Sequence, residues 1–209
     1  MTSFPRTPGR PSGQVHTAVV GSQRIDLPVV PVSHDLAIAL LVGPDHGVRF
    51  MERAGQDLAQ LVEHTRPDVV AGAATLGVPP AIELTRALGL DDYVVLQKTK
   101  KIHLGDALSA PLRSITTAQS QELLLDRARV GAVAGRRVVL VDDVISTGGS
   151  IVAALQLLRS AGADVVAVAA LFTEADEWRD ALGEDADLVV ALGTIPLHVP
   201  GPDGWVPMG

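Results

Sequence analysis

The chain has 209 residues, enough for one domain with a full core, and it contains no cysteine, which excludes disulfides and thiolate chemistry. Its formal net charge of −7 argues against a general nucleic-acid-binding surface. No signal-peptide pattern opens the chain and no apolar run approaches the roughly 20 residues that span a bilayer, so we expect a cytoplasmic protein with no membrane partner.

The first part of the chain predicts a small subdomain. Residues 1–14 carry three Pro and two Gly, and we expect them to be disordered. Residues 15–20 and 24–27 flank Gly21-Ser22-Gln23 and predict a hairpin, and residues 36–42 predict another strand. Residues 15–42 are therefore expected to form an N-terminal subdomain.

From residue 48 onward, helical and strand patterns alternate. Apolar residues between Met51 and Val62, Leu61 among them, recur at the spacing of one helix face. In chain order the sequence predicts a helix over 48–66, strand 69–73, helix 77–88, strand 93–97, strand 137–141, helix 150–161, strand 164–172, helix 176–182 and strand 188–192. This alternation predicts an α/β fold with a mostly parallel sheet, which binds ligands at the carboxyl ends of its strands.

Residues 98–136 have weak periodicity, and their only short apolar run is Leu123 to Leu125. Such a length is unusual for a connection within one domain, and long connections of this kind are commonly lids or binding loops. We therefore expect a functional loop here.

The most informative stretch runs from Val138 to Ser150. Four apolar residues lead into Asp142 and Asp143, and a turn rich in hydroxyls and glycines follows before a helical pattern begins. A strand, loop and helix start in this order aim backbone N–H groups and a helix dipole at one point, where a phosphate can sit. Adjacent carboxylates suit a polyol or a metal-bound sugar, so the stretch predicts a sugar-phosphate site.

Residues 142–150 resemble the 5-phosphoribosyl-1-pyrophosphate (PRPP) signature of type I phosphoribosyltransferases, because acid pair, loop and helix occur in register. Ala74-Thr75-Leu76-Gly77 lies where this family places its pyrophosphate loop. Lys98-Thr99-Lys100-Lys101 lies where the adenine branch carries two lysines. The resemblance covers roughly residues 50–175 and is strongest to adenine phosphoribosyltransferase-like purine enzymes.

The resemblance implies the type I phosphoribosyltransferase fold, with a central mostly parallel sheet flanked by helices and a small hood. It places the hood mainly in residues 15–42 and the core in about 43–195, within a single domain spanning 15–209. It also implies a homodimer. Residues 196–209 are expected to dock on the hood or on the partner of that dimer.

The resemblance also assigns roles. Asp142 and Asp143 would bind the ribose hydroxyls and hold Mg²⁺ weakly or indirectly, with PRPP and water supplying most of its oxygen ligands. Lys98 and Lys101 would neutralise the diphosphate, with Lys100 as the alternative to Lys101. These four residues are the expected catalytic residues. The expected PRPP-binding residues are Thr75, Leu76, Gly77, Lys98, Lys101, Asp142, Asp143, Val144, Ile145, Ser146, Thr147, Gly148, Gly149 and Ser150.

Within this set, the two loops have different tasks. The backbone N–H groups of Thr75 to Gly77 would bind the pyrophosphate, and the resemblance implies a strained peptide there, with the cis form as the candidate. The hydroxyls and N–H groups of residues 146–150 would cradle the 5′-phosphate. An ordinary helix cap, with Ser150 near the N-cap, is compatible with that role.

The acceptor is less determined than the donor. Residues 102–117 would close over the reacting centre but lack the Glu- and Tyr-containing segment of the adenine branch; the polar candidates are Asp106, Arg113, Ser114, Thr116 and Thr117. Ser146 stands where the hypoxanthine–guanine branch commonly has Asp, which argues against that branch. Residues 24–32 of the hood would recognise the base through main-chain groups, and Phe172 is a candidate to flank it or a core residue.

The sequence thus predicts a purine phosphoribosyltransferase that uses PRPP, adenine first and xanthine or hypoxanthine second, in purine salvage. A non-catalytic PRPP-sensing regulator is the alternative, although no helix-turn-helix pattern accompanies it. Trp178 and Trp205 are predicted to be packing residues. Six histidines without metal-ligand spacing are predicted to lie at the surface or in local hydrogen bonds: His16, His34, His46, His64, His103 and His198.

Overall fold

The computed structural model describes residues 8–9, 11–99, 106–112 and 121–208. The strands in these ranges are β1 (Val15–Val20), β2 (Gln23–Pro31), β3 (Ala37–Ala39), β4 (Val69–Ala73), β5 (Tyr93–Leu96), β6 (Leu108–Leu112), β7 (Gln121–Leu125), β8 (Arg137–Ile145), β9 (Asp164–Glu174), β10 (Val189–Ile195), β11 (Leu197–Gly201) and β12 (Gly204–Pro207). The α-helices are α1 (Val48–Val62), α2 (Val78–Ala87), α3 (Gly149–Ser160) and α4 (Glu177–Leu182). No helix among these residues has both the length and the apolar character needed to cross a membrane.

The central sheet has the strand order β10-β9-β8-β4-β5, and all four pairings are parallel. This confirms the predicted α/β architecture. Because the strands are parallel, the carboxyl ends of β4, β5 and β8 lie at the same edge of the sheet.

Apolar layers cover both faces of this sheet. On one face, α1 and α2 pack against β4, β8 and β9 through residues such as Phe50, Leu58 and Leu84. On the other face, α3 packs through Leu155 and Leu158. Leu61, predicted to lie on the buried face of α1, is instead 37% exposed. The helix buries a face that runs from Phe50 to Val62, and Leu61 lies at its edge.

The segment predicted as a long loop is partly a sheet. β6 and β7 form an antiparallel pair in which Ala110 lies opposite Leu123. Leu124 also exchanges backbone hydrogen bonds of 2.8 Å with Gln97, just after β5. Leu123, Leu124 and Leu125 are all buried, so β7 has no alternation of apolar and polar residues by which the sequence could reveal a strand.

A second five-stranded sheet, the hood, has the order β1-β2-β3-β11-β12. The segment after residue 196 therefore supplies two hood strands: Leu197 of β11 pairs with Ile38 of β3. Gln14, just before β1, connects the two edge strands of the hood sheet, β1 and β12. Its side-chain amide donates to the Trp205 carbonyl (3.2 Å) and accepts from the Trp205 N–H (2.7 Å). Ser12 also donates through its N–H to the Val29 carbonyl (3.0 Å), so the described residues 11–14 are attached to the hood.

The burial of four ring side chains bears on their predicted roles. His198, expected at the surface or in local hydrogen bonds, is 2% exposed and lies in the hood with its ring edge-on to His16. Phe172 is fully buried in the core, so its ring is a core residue and does not flank a bound base. Trp178 and Trp205 are buried, which confirms their packing roles.

Candidate active site

A cleft of about 910 Å³ opens at the carboxyl ends of β4, β5 and β8. The loops that follow these three strands form most of its wall. Its lining includes Ala74, Thr75, Leu76, Val78, Pro79, Gln97, Lys98, Thr99, Asp142, Asp143, Val144, Ile145, Ser146, Thr147, Gly148, Ser150 and Ile151.

The structure brings most of the predicted PRPP residues together in this cleft. Gly77, in the loop after β4, and Gly149, the first residue of α3, do not line it. Lys100, Lys101, Arg113, Ser114, Thr116 and Thr117 lie outside the described residues. Asp106 lies away from the cleft and forms an exposed ion pair with Arg127 (Nε to Oδ2, 2.8 Å).

The two aspartates belong to β8, which continues to Ile145 and not, as predicted, only to residue 141. Asp142 lies opposite Ala170 of β9 in the parallel register. Its side chain is 8% exposed, whereas Asp143 is half-buried. The Asp143 N–H donates to Asp142 Oδ1 at 3.0 Å. The β8 strand thus holds the pair rigidly at the edge of the cleft.

Burial, reinforced by the neighbouring Asp143 charge, raises the pKa of Asp142 to about 7, while Lys98 acts in the opposite direction. Burial also raises the pKa of Asp143. Two adjacent carboxylates with little water around them are stabilised in their charged form by donors or cations. The pair is therefore suited to a ligand that brings hydroxyl groups, a metal ion or both.

The loop after β4 contains a cis peptide bond between Ala74 and Thr75. The Ala74 N–H donates to the Leu96 carbonyl (2.8 Å) and the Gly77 N–H to the Ala73 carbonyl (3.0 Å). Among the described residues, the N–H groups of Thr75 and Leu76 have no backbone acceptor. These two amides, and not that of Gly77, are the donors this loop can offer a ligand.

Gly77 has a steric role. A Cβ atom at this position would lie 2.7 Å from the Ala73 carbonyl oxygen and 2.8 Å from Asp142 Oδ1. The loop after β4 therefore packs directly against the acid pair of β8, and only glycine permits this approach.

The loop after β8 ends at Gly148, whose φ of 78° is in the left-handed region. Gly148 is the N-cap of α3, and no side chain caps this helix. Its first-turn N–H groups therefore remain available to an anion, and the dipole of α3 favours one. Ser150, predicted to lie near the N-cap, is the second residue of the helix and lines the cleft.

Sequence reasoning missed one polar residue beside the cleft. Glu174, the last residue of β9, is 6% exposed, and Ser146 Oγ donates to its Oε2 at 2.6 Å. Burial raises the pKa of Glu174, the hydrogen bond from Ser146 lowers it, and the nearby Glu177 raises it further. Only the register of β8 with β9, in which Ile145 lies opposite Thr173, brings these residues together.

The parallel sheet, the hood and a cleft between the β4, β5 and β8 loops constitute the type I phosphoribosyltransferase fold. Residues 49–190 match the phosphoribosyl transferase domain family, and the chain belongs to that family.

Curated relatives include two kinds of enzyme. An orotate phosphoribosyltransferase of Listeria monocytogenes serotype 4b is 34% identical over 120 residues, which are 56% of this chain and 48% of that protein. An adenine phosphoribosyltransferase of Rhodospirillum centenum is 34% identical over 140 residues, 65% of this chain and 77% of that one. The match spans about half the length of the orotate relative.

Solved structures resemble the fold over most of the chain. Adenine phosphoribosyltransferase of Thermoanaerobacter pseudethanolicus superposes with a TM-score of 0.62 at 20% identity, covering 86% of this chain and 95% of that one. The enzyme of Trypanosoma brucei, in complex with AMP, pyrophosphate and ribose-5-phosphate, gives 0.63 at 21% identity, with 86% and 75% coverage. At this identity the likeness establishes the shared fold.

Proposed function

We propose that the protein transfers the phosphoribosyl group of PRPP to a purine base, with adenine as the first choice, giving a nucleoside monophosphate and pyrophosphate. Such a reaction serves purine salvage. One observation carries the proposal: a single cleft contains an acid pair, an uncapped helix N-terminus, two free loop amides and a lysine. These groups complement a ribose that carries a phosphate at one end and a diphosphate at the other.

In this proposal each end of PRPP has its own partners. The first turn of α3, with Thr147 and Gly148 before it, binds the 5′-phosphate. The Ser146 hydroxyl, predicted to join them, donates to Glu174 instead. Asp142 and Asp143 accept hydrogen bonds from the ribose hydroxyls. The Thr75 and Leu76 amides and Lys98 bind the diphosphate. PRPP is thereby fixed along the sheet edge with its C1 carbon directed into the cleft.

The chemistry then requires charge stabilisation and alignment. A ring nitrogen of the base attacks C1 while the bond to pyrophosphate breaks, and the ribose acquires oxocarbenium character. The carboxylates of β8 lie on the ribose side, where positive charge develops, and Lys98 lies on the side of the departing diphosphate. Pyrophosphate leaves with the electron pair of the broken bond, and the ring N–H proton of the base passes to water.

The residues of the cleft fit a magnesium ion that would be coordinated mainly by PRPP and water. Asp142 and Asp143 offer carboxylate oxygens, which Mg²⁺ prefers, and their raised pKa values mean that a cation would stabilise the ionised pair. No group of three or more acidic, histidine or cysteine side chains in the described ranges could enclose a metal ion alone. Bound there, Mg²⁺ would neutralise diphosphate charge, with PRPP and water completing its coordination.

The choice of a purine over orotate is supported by charge. Orotate carries a carboxylate, whereas the cleft is lined by Asp142 and Asp143, and the buried Glu174 lies behind Ser146. Among the described residues that line the cleft, Lys98 is the one with a positive charge. In this proposal Lys98 binds the diphosphate, so it does not bind the orotate carboxylate. The orotate relatives make orotate the second candidate.

Pyrophosphate release tests this function directly. Full-length protein is incubated with PRPP, Mg²⁺ and one acceptor at a time: adenine, hypoxanthine, guanine, xanthine or orotate. We expect release with a purine, adenine foremost, and formation of the matching monophosphate. Release with orotate alone would overturn the purine assignment. PRPP binding without turnover of any acceptor would instead establish the PRPP-sensing alternative.

The proposal also includes a homodimer, which the resemblance implies, and a cytoplasmic location, which is expected from the sequence pattern. Sedimentation of the protein at micromolar concentration measures the first. A monomer that turns over PRPP at the same rate at all concentrations would show that the active unit is one chain.

A further inference from the structure

The hydrogen bond between Ser146 and Glu174 has a consequence for what the cleft can bind. We propose that Glu174 is a positioning residue that fixes the Ser146 hydroxyl as a hydrogen-bond acceptor, so that this part of the cleft selects an uncharged ligand group bearing N–H or O–H. The inference rests on the proposed function for the identity of the ligands, which are PRPP and an acceptor base.

The direction of this hydrogen bond follows from the number of donors and acceptors in a hydroxyl group. A serine hydroxyl has one hydrogen to donate and two lone pairs that accept. Ser146 Oγ lies 2.6 Å from Glu174 Oε2, and an ionised carboxylate only accepts. The single hydrogen therefore points away from the cleft, and Ser146 presents lone pairs to it. A phosphate oxygen, which needs a donor, would find none at this hydroxyl.

Burial makes the orientation persistent. Glu174 is 6% exposed at the end of a central strand, and its carboxylate has little freedom to turn away. Ser146 is half-buried and lines the cleft. A charge-assisted hydrogen bond of this kind is among the stronger ones in proteins. The buried Glu174 carboxylate thus determines which way the Ser146 hydroxyl points in the cleft.

Two ligand groups can supply the matching hydrogen. One is a ring N–H of the acceptor base, and the other is a hydroxyl of the PRPP ribose. An anionic group, such as the carboxylate of orotate, is disfavoured at the same position because it would lie close to the Glu174 charge in a poorly hydrated site.

A double-mutant cycle tests the coupling. Ser146→Ala removes the acceptor, Glu174→Gln removes the carboxylate while keeping its shape, and the double variant carries both. Thr173→Val is the matched control, because Thr173 is a buried residue of β9 whose hydroxyl pairs with Thr194 (3.1 Å) and not with Ser146. Urea unfolding of each variant verifies that it is folded.

We expect each single variant to lower kcat/KM for the accepted base, or to raise the Kd of PRPP, about tenfold, which corresponds to one hydrogen bond. The double variant should be no worse than Ser146→Ala alone, because Glu174 acts through that hydroxyl. Thr173→Val should stay within about twofold of wild type. Glu174→Gln should also narrow the preference for the purine over orotate.

The two measurements, kcat/KM for the base and the Kd of PRPP, show which ligand group donates to Ser146. A change confined to the base identifies a base N–H as the donor, and a change confined to PRPP identifies a ribose hydroxyl. Additive losses, or a Glu174→Gln variant with wild-type constants, would overturn the inference.

Failure of the proposed function is seen independently, in wild-type protein that turns over no base. The mutant cycle is then evaluated from the Kd values of PRPP and adenine alone. If Glu174→Gln does not fold, a wild-type Kd and kcat/KM in Ser146→Ala overturn the inference.

Discussion

At the scale of single residues, the cleft concentrates charge that the fold has partly removed from water. Asp142 is buried within β8, and Asp143 extends the same negative charge toward the cleft. A ligand that supplies donors or a cation removes the penalty of keeping these carboxylates ionised. The site therefore gains binding strength from groups that by themselves weaken the folded protein.

This opposition between stability and binding is measurable with Asp142→Asn. The pKa of Asp142 rises from 3.8 to about 7 on folding, so the folded state holds a proton that the unfolded state has lost. Wild-type stability should therefore fall, relative to the variant, as the pH rises from about 4 to about 7. Across that range the difference in unfolding free energy should move in favour of the variant by about 4 kcal/mol. Urea unfolding of both proteins at pH 4 and pH 8 measures the difference.

The same substitution should weaken ligand binding, most clearly when combined with Asp143→Asn. Calorimetric titration with PRPP and Mg²⁺ should show at least a tenfold loss of affinity, since two charge-assisted hydrogen bonds are weakened. Unchanged PRPP affinity in the folded double variant would contradict the ribose role of the pair. A stability difference that does not change between pH 4 and pH 8 would contradict the raised pKa.

Lys98 carries a separate prediction. It follows β5, is exposed, and lines the cleft, so Lys98→Ala should lower kcat/KM for PRPP about tenfold with little effect on folding. Lys98→Arg, which keeps the charge, is the control and should retain more activity than the alanine variant. A fully active Lys98→Ala protein would assign the diphosphate charge to Lys100 or Lys101.

At the scale of elements, the loops after β4 and β8 form one unit because Gly77 lets them touch. Gly77→Ala would place a Cβ atom 2.8 Å from Asp142 Oδ1, so the loop must shift. We expect a loss of about 1–3 kcal/mol in unfolding free energy and a PRPP affinity lowered at least tenfold. Gly131→Ala is the matched control, since a Cβ atom there would meet nothing within 4 Å. Equal PRPP affinity in the two variants would show that the loops move independently.

The sequence predicted those elements whose pattern is local. β4 agrees with its predicted bounds, and α2 and β5 agree within one residue at each end, because continuous apolar runs and a Pro-containing helix start mark them. The extension of β8 through Asp142 was missed because aspartate is poorly suited to strands. Pairing with β4 on one side and β9 on the other overrides this preference.

Other features depend on parts of the chain that are distant in sequence. The β6–β7 pair lacks alternation in β7, and the hood strand β11 pairs with the distant β3 on one side and with β12 on the other. The Ser146–Glu174 hydrogen bond joins residues 28 positions apart. Local motifs therefore identified the residues expected to bind PRPP, whereas the residue that orients Ser146 required the three-dimensional register.

At the scale of the whole molecule, the hood is fastened to the core at the turn between β1 and β2. The buried Asp57 of α1 accepts hydrogen bonds from the N–H and the Oγ of Ser22, each at 2.7 Å. Arg53 also pairs with Asp57 (Nε to Oδ1, 3.4 Å). On the other side of the turn, the Gly21 N–H donates to the Leu192 carbonyl at 2.9 Å.

Asp57→Ala should therefore loosen the hood. Leaving the Ser22 N–H without its acceptor should cost about 1–3 kcal/mol in unfolding free energy, and amide hydrogen exchange should accelerate in β1 more than in β8. Gln60→Ala, an exposed position of the same helix, is the control. An Asp57→Ala protein with the stability and exchange rates of the control would show that packing alone fastens the hood.

The strand order of the hood also determines when the hood can form during synthesis of the chain. Its first three strands leave the ribosome early, but their partner β11 is made only after the whole parallel sheet, and Gln14 waits for Trp205, 191 residues later. Because domains acquire structure while the chain is still being synthesised, β3 must keep one edge unpaired until β11 (Leu197–Gly201) has been made. A released chain that ends at residue 196 should therefore have a folded parallel sheet and an open hood.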